Sequence, residues 1–451
     1  MNETPHRLLE LFQSIVPEEG WQELDNRKRP AQIYTLPVVV GLMLAQRLNE
    51  RGTQQQAVHE LEGGRLSDLL PDGKRVREGK ISLATGGYSR ACGKIATEVV
   101  EQISDELLAE LGRVVESKRP TGDDSESAVL GGRKRRIMLL DGSSLRVEHV
   151  KGLLAAYPPG HNQHGAGHWG VVKWVGLHDV DTGIAERPAW GPMYGPEAAS
   201  EQELAEQVLE RAPASSVILG DANFGIFCFV YAVHQSKHPM IFRLSKPRAQ
   251  ALAPQLRPGQ ELTVTWEPSA YERREHVGLP ADAQVQGRLI AVLGKGFRDP
   301  LYLFTTMTEA VEQVVAHYAK RWNLELDIRT LKGTLRVEHL RGKSREAVEK
   351  ELLIAVVAYG MVRAFMALAA WQAGLSPRRL SFTRAYGLLN VVSEQLCSTD
   401  EARAERAYDR LMVNLGKSKL PVRTKVRKYP REVWGSGKYY PTRRSQPSET
   451  K

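Results

Sequence analysis

Apolar positions recur at helical spacing over most of the first 112 residues. Residues 38–49 carry one such stripe, Arg51-Gly52 interrupts it, and Thr53 is placed to cap a second helix running to Leu61. Helix, glycine-containing turn, helix is the outline of a helix-turn-helix, and equally of any helical hairpin. Ser82 is placed to cap another helix carrying Arg90 and Lys94, and the helical period continues from Lys94 to Leu111. The character then changes. Residues 113–136 contain the polar run Ser117-Lys-Arg-Pro-Thr-Gly-Asp-Asp-Ser-Glu-Ser, which reads as a linker, and the basic run Gly132-Arg-Lys-Arg-Arg136 closes it.

From residue 137 the pattern becomes mixed. Ile137-Met-Leu-Leu140 is a short buried-strand signature with Asp141 at its end. Residues 169–177 alternate as a strand does, Asp179-Val-Asp-Thr-Gly183 is a turn, and residues 184–190 return, which predicts a hairpin. Residues 197–211 form an amphipathic helix pattern. Val217-Ile-Leu219 is a second short buried strand, and Asp221 follows it. Strand and acid, hairpin, helix, strand and acid: this order predicts an α/β sheet whose strand ends carry function. Residues 240–244, 261–266 and 286–292 are strand candidates among many Pro and Gly, so a β-rich insertion is expected at about 237–300. Residues 301–304 look like a further sheet strand. Thr308 then opens a helix that should carry Tyr318 to Lys332, residues 348–370 make a long apolar core helix, and residues 378–415 are further helix. The division that follows is a helical domain at 1–112, a linker at 113–136, a mixed α/β domain at 137–370, a helical C-terminal region at 371–415 and a basic tail at 416–451.

Bulk properties narrow the class. The chain has 451 residues, 42% hydrophobic and 25% charged, which is the composition of a soluble globular protein long enough for two or three domains. No unbroken apolar run reaches the 18 residues of a membrane span, so no membrane partner is expected. The opening Met-Asn-Glu-Thr-Pro-His-Arg lacks the apolar core of a signal peptide. Cys92, Cys228 and Cys397 are too far apart for a disulfide framework or a zinc knuckle, which fits a reducing, cytoplasmic setting. Net charge is +9, and residues 416–451 hold eleven Lys/Arg against two Glu, a balance equal to that of the whole chain. Such a segment favours a polyanion; the alternative is a solvated tail with no partner.

The chemistry concentrates in Tyr318-Ala-Lys-Arg-Trp-Asn-Leu-Glu-Leu-Asp-Ile-Arg-Thr-Leu-Lys332, which reads Y-x(2)-R-x(3)-E-x(6)-K at Tyr318, Arg321, Glu325 and Lys332. On one helix Tyr318, Arg321 and Glu325 share a face, and Lys332 continues the stripe. Asp141, Asp221 and Glu325 together offer three carboxylates, two from strand ends and one from a helix. That is a donor set for two Mg²⁺ ions, with which a phosphodiester can be cut. Arg321 can clamp a phosphate bidentately and Lys332 can act on it as a point charge. The plain alternatives are a turn or cap role for each Asp, and a solvated Arg321–Glu325 pair. Trp322 stands beside the proposed site and could stack on an unpaired base or belong to the core. In His161-Asn-Gln-His164-Gly-Ala-Gly-His168 the glycines imply a loop with incidental DNA contact rather than a zinc site.

These residues resemble the DDE transposases of bacterial insertion sequences, and specifically the hairpin-forming cut-and-paste family with the YREK signature, the insertion-sequence-four type. Tyr318, Arg321, Glu325 and Lys332 match that signature at full spacing. Asp141 in Leu-Leu-Asp-Gly-Ser-Ser resembles the family's first acid and Asp221 in Ile-Leu-Gly-Asp-Ala-Asn-Phe-Gly its second. Family members often carry Arg-Gly-Phe after that acid, where this chain has Ala222-Asn223-Phe224. The resemblance spans roughly residues 135–365, and the long gap from Asp221 to Glu325 suits the family's β-strand insertion. It implies an RNase H-like catalytic domain at 137–370 and a DNA-binding role for the helical domain at 1–112. It implies Mg²⁺-dependent hydrolysis at transposon ends with two ions per site, Mn²⁺ being able to substitute. Attack by the freed 3′-hydroxyl on the other strand would then form a hairpin, which is reopened before joining to target DNA. By the same resemblance Tyr318, Arg321, Trp322 and Lys332 would contact double-stranded DNA, and the protein would work as a homodimer on paired ends near the bacterial nucleoid. The other readings are an RNase H-like nuclease without strand transfer, and a domesticated, non-catalytic DNA-binding protein.

Overall fold

The computed structural model describes residues 33–49, 52–64, 66, 69–120, 128–130, 133–163, 165–293, 300–396 and 400–421. Part of the expected linker, His164, Cys397 and the basic tail beyond residue 421 lie outside the described residues. Among the described residues five helices come first: α1 (Leu36–Leu48), α2 (Gln54–Glu62), α3 (Lys74–Arg77), α4 (Gly86–Lys94) and α5 (Thr97–Ser117). Thr53 caps α2 as the sequence predicts, its hydroxyl accepting from the Gln56 amide at 3.1 Å. Ser82 does not cap α4. Its hydroxyl accepts from the Ala84 amide two residues on, and Thr85 stands at the helix start.

Twelve strands follow, interleaved with helices: β1 (Ala128–Leu130), β2 (Arg133–Arg135), β3 (Ile137–Val147), α6 (Lys151–Ala156), β4 (His161–Asn162), β5 (Gly165–Ala166), β6 (Gly170–Asp179), β7 (Ala189–Pro192), α7 (Glu201–Leu209), β8 (Val217–Gly220), α8 (Phe227–Gln235), β9 (Met240–Leu244), α9 (Lys246–Leu252), β10 (Glu261–Trp266), α10 (Ala270–Glu275), β11 (Val285–Val292) and β12 (Leu301–Thr305). Eight of them form one sheet in the order β10-β11-β12-β9-β8-β3-β6-β7. β3 pairs antiparallel with β6 and parallel with β8, and β8 pairs parallel with β9. The strand at Met240–Leu244, expected within the insertion, is an inner strand of this sheet. β12, β11 and β10 extend the same sheet antiparallel from β9 instead of folding apart.

Alternation along the inner strands sorts their side chains cleanly. Ile137, Leu139, Val217, Leu219 and Ile241 enter one hydrophobic cluster, and Met138, Leu140, Ile218, Met240 and Phe242 enter the other. The second is covered by α7 and α8 with their aromatics Phe227 and Phe229. The first is covered by the C-terminal helices α11 (Val311–Ala319), α12 (Trp322–Gly333), α13 (Arg345–Gln372), α14 (Phe382–Leu396) and α15 (Glu401–Lys417), and by α1, α2 and α5. The N-terminal helices therefore share the core of the sheet's own covering layer. α13 is long and apolar enough to cross a bilayer by length and composition, but 89% of its apolar stretch is buried inside the protein. It is the central core helix.

Gly225, in the loop after β8, packs against β9. A Cβ there would stand 2.2 Å from the Arg243 carbonyl and 2.9 Å from Leu244 Cδ2. Gly225→Ala is expected to cost about 1–3 kcal/mol as an overpacked site and to lower the thermal midpoint by several degrees. Gly152→Ala, where nothing lies within 4 Å, should not. Differential scanning fluorimetry on the pair checks this, and equal midpoints would contradict the packing described.

Candidate functional site

The site grows from strand register. In the parallel ladder Leu139 pairs with Leu219, and on the other side of β8 Gly220 pairs with Phe242. Carried on by two residues and by one, the same register sets Asp141, Asp221 and Arg243 in a row, with strands about 4.8 Å apart. By the same alternation all three point to the face that α12 and α13 cover. Asp141 is not at the end of its strand, as the sequence reading had it. β3 runs six residues further, paired with β6 alone (Asp141 opposite Gly176), because β8 ends at Gly220. The pairing with β8 ends at Leu139, two residues before Asp141, and the gap that opens there is where the acids lie.

Both aspartates are oriented by backbone. Asp141 Oδ1 accepts from the Gly142 amide at 2.9 Å, and Asp221 Oδ1 accepts from the Asn223 amide at 2.9 Å. Asn223 is held in turn by Glu201 at the start of α7 (3.2 Å), and Gln202 donates to the Asn223 carbonyl (2.9 Å). Glu201 also presses on Gly142, where an added Cβ would stand 2.6 Å from Oε1. A larger residue at Gly142 would displace the Glu201 carboxylate.

The segment carrying Tyr318 to Lys332 is not one helix. α11 stops at Ala319 and α12 starts at Trp322, and the amides of Lys320, Arg321, Asn323 and Leu324 bond three residues back instead of four. This tightened turn re-aims the chain at Arg321. Its guanidinium donates to Glu325 Oε1 at 2.9 Å and to Asp141 Oδ2 at 3.4 Å, so the cation bridges the helix acid and the strand acid. Burial first, and then the charge of Asp221, pushes the Asp141 carboxyl up to about 6, with Arg321 pulling the other way. Tyr318 is largely buried beside Arg321, Arg243 and Asp221, and burial raises its phenol. Trp322 is 43% exposed at the start of α12, outside the core. Lys332 lies at the other end of α12, where burial lowers its ammonium and its charged neighbours are Glu338 and Arg146. It lies further along β3, beside Arg146, and not among the acids.

Asp141, Asp221, Glu325 and Arg321 therefore come together, Tyr318 supports them, and Trp322 and Lys332 flank them. Among the described residues no group of three or more His, Cys, Asp or Glu side chains is placed to hold a metal ion. The donor set is nevertheless all-carboxylate, and a side-chain cation occupies the space between two of its members, which suits a hard divalent cation. Two contributors escaped the sequence reading. Arg243 was visible as one charged residue in the apolar run Met-Ile-Phe-Arg-Leu, whereas nothing local marked Glu201. In the histidine loop, His168 stacks on His149 at 4.2 Å and meets Trp169 edge-on at 4.7 Å.

A family profile described as the transposase DDE domain matches residues 132–361, just over half of the chain. The chain is 28% identical over 317 residues to the transposase InsG for insertion sequence element IS4 of Escherichia coli (strain K12), covering 68% of this chain and 69% of that protein. A cryo-EM structure of a piggyBac transposase synaptic complex with hairpin DNA aligns over 96% of this chain and 87% of its own, at 9% identity and a TM-score of 0.43, too low to establish a common fold.

The electrostatic arrangement is testable without substrate. Asp221→Asn removes a repelling charge and should lower the Asp141 titration midpoint from about 6. Arg321→Ala removes an attracting one and should raise it. Carboxyl-carbon NMR of aspartate-labelled protein reads both, with Asp141→Asn assigning the resonance; shifts of the opposite signs would refute the arrangement. A folded-state value above the ordinary one also means that the folded chain binds this proton more tightly than the unfolded chain. This carboxyl therefore weakens the fold as pH rises from about 4 to about 6.

Proposed function

We propose that this chain, which belongs to the DDE-domain transposases, enzymes that cut and join DNA, is of the insertion-sequence-four type and works by hydrolysis at transposon ends followed by hairpin formation and transfer of 3′ ends to target DNA. The observation that carries this reading is the register that lines up Asp141 with Asp221, with Glu325 brought to the same gap through Arg321. The order β7-β6-β3-β8-β9, three strands antiparallel and then two parallel, supports an RNase H-like core at residues 137–370.

DDE transposases use divalent metal ions. Asp141, Asp221 and Glu325 would hold them here, Mg²⁺ by the hardness of the oxygen donors and Mn²⁺ as a substitute, two ions to the site. When bound, such ions activate the attacking oxygen and stabilise the leaving one. The chain's own residues then have separable tasks. Arg321 exchanges its carboxylate partners for phosphate oxygens near the cut, and its planar fork suits two of them. Tyr318 fixes the place from which it turns. Trp322 offers an exposed ring to an unstacked base at the strand end. Lys332, beside Arg146, holds backbone further along β3 as a point charge. The helical residues 36–117 and the basic C-terminus would add contacts to double-stranded DNA, in a homodimer pairing two ends in the bacterial cytoplasm. In the hairpin step the freed 3′-hydroxyl attacks the opposite strand's phosphorus, its proton leaves to solvent, and the displaced oxygen of that strand departs.

The deciding experiment is Mg²⁺-dependent cleavage of DNA ends flanking the gene, on denaturing gels, with Asp221→Ala as control. A slow hairpin band absent from the control is the expected result. Cleavage without that band would favour an RNase H-like nuclease without strand transfer, and binding without cleavage would refute the catalytic assignment in this chain. Glu325→Gln should lower cleavage roughly a thousandfold, the scale of the several kcal/mol that metal ions supply, while DNA binding by gel shift persists. Lys332→Ala should reduce cleavage more than binding, and an unchanged yield would remove it from the site.

A further inference from the structure

Asp327 stands two residues after Glu325 in α12, on the opposite side of the helix. It is fully buried and meets two guanidiniums on the same oxygen: Arg363 of α13, and Arg378 of the 3-10 turn Pro377–Arg379 at 2.6 Å. A His178 ring nitrogen at the end of β6 lies 3.5 Å from its other oxygen. Arg378 also donates to the carbonyls of Val180 (2.7 Å) and Asp179 (2.9 Å), and Arg363 donates to the Tyr359 hydroxyl (2.9 Å). The turn after β6 is shaped around the pair. Gly183 has φ +78°, and a Cβ there would stand 2.9 Å from both Arg363 Nε and Arg378 Nη1. One carboxylate thus ties α12 to α13, to the Pro377–Arg379 turn and to the central hairpin.

We propose that Asp327 is a positioning residue that fixes the rotation of α12 about its axis and so places Glu325 against Asp141; the inference rests on the metal role assigned above to Glu325. An apolar side chain would hold the helix to the core with no ion to desolvate, and in many proteins such a replacement is neutral or stabilising. What it would not supply is direction. Carboxylate–guanidinium bonds restrict the angle at which a helix seats. With a radius of about 5–6 Å including side chains, a rotation of about 20° displaces Glu325 by about 2 Å, and errors of about 1 Å at a reacting centre cost about a hundredfold. The acid in the gap and the acid in the core are two ends of one lever.

The test is a double-mutant cycle on the full chain without DNA, with Mn²⁺ binding followed by the EPR signal of the free ion, and melting recorded in parallel. Asp327→Asn should weaken Mn²⁺ binding about tenfold or more, and Asp327→Asn with Glu325→Gln should bind no more weakly than Glu325→Gln alone. A role confined to stability would lower the melting temperature and leave the affinity of the folded protein unchanged, which would overturn the proposal. Full additivity of the two changes would overturn it as well. Unchanged binding in Glu325→Gln would refute the metal reading and this one with it, whereas weakened binding there with wild-type binding in Asp327→Asn would refute this one alone. Should Asp327→Asn fail to fold, Arg378→Gln, which keeps Arg363 on the carboxylate, enters the same cycle with the same criteria.

Discussion

The parallel pairing of β3 with β8 is the constraint on which the site depends. Strand pairing has a side-chain period of two, so a slip of one residue would send an acid to the opposite face of the sheet. The apolar residues prevent that slip. Ile137 and Leu139 belong to one core and Met138 and Leu140 to the other, and Val217, Ile218 and Leu219 repeat the division. The acids inherit their placement from this hydrophobic sorting two residues upstream. β8 then stops at Gly220 while β3 continues with β6, so the ladder splits where Asp141 and Asp221 face each other. Open α/β sheets bind ligands at such places, beyond the carboxyl ends of strands.

Two carboxylates set across neighbouring strands repel, and burial makes the repulsion stronger. Burial first, and that repulsion after it, holds the Asp141 carboxyl above its ordinary range. Arg321 reduces it in the isolated chain, and the tightened turn between α11 and α12 is what lets one guanidinium reach both Asp141 and Glu325. A straight helix would have kept Arg321 in register with Glu325 along a single face. The break turns a surface pair into a bridge between helix and sheet.

What could be read from the sequence divides along the same line. The buried strands, the turn at Asp179–Gly183, the long core helix and the three acids all have local signatures: apolar runs, Gly in a left-handed turn, a fixed spacing. The contributions that needed the fold are those with no local signature. Glu201 acts through Asn223 and Gly142, 22 and 59 positions away. Arg243 gains its place only from the register of β9 on β8. The strand at residues 240–244 reads as part of an insertion because Pro and Gly surround it, although its neighbours in space are β8 and β12. The break at Lys320–Arg321 has neither Pro nor Gly to announce it, so helical spacing alone predicted one helix.

α13 joins the two halves of this picture. Near its start the Lys350 ammonium donates to the carbonyls of Cys92 (2.9 Å) and Ile95 (2.8 Å) at the end of α4, and Glu351 pairs with Arg47 of α1. Thirteen residues on from Lys350, Arg363 holds Asp327 of the site helix. Lys350 and Arg363 of α13 are buried, and a buried cation left unpaired costs several kcal/mol. Each is satisfied only when a particular neighbour is docked: the N-terminal helices for Lys350, α12 for Arg363. The long helix therefore cannot slide or rotate to suit one neighbour without leaving a charge unmet at the other. The same rigid element sets the seat of the N-terminal helices and that of the helix that carries Glu325. This is a physical reason for the N-terminal helices to share a hydrophobic core with the sheet's covering layer instead of hanging from it on a linker.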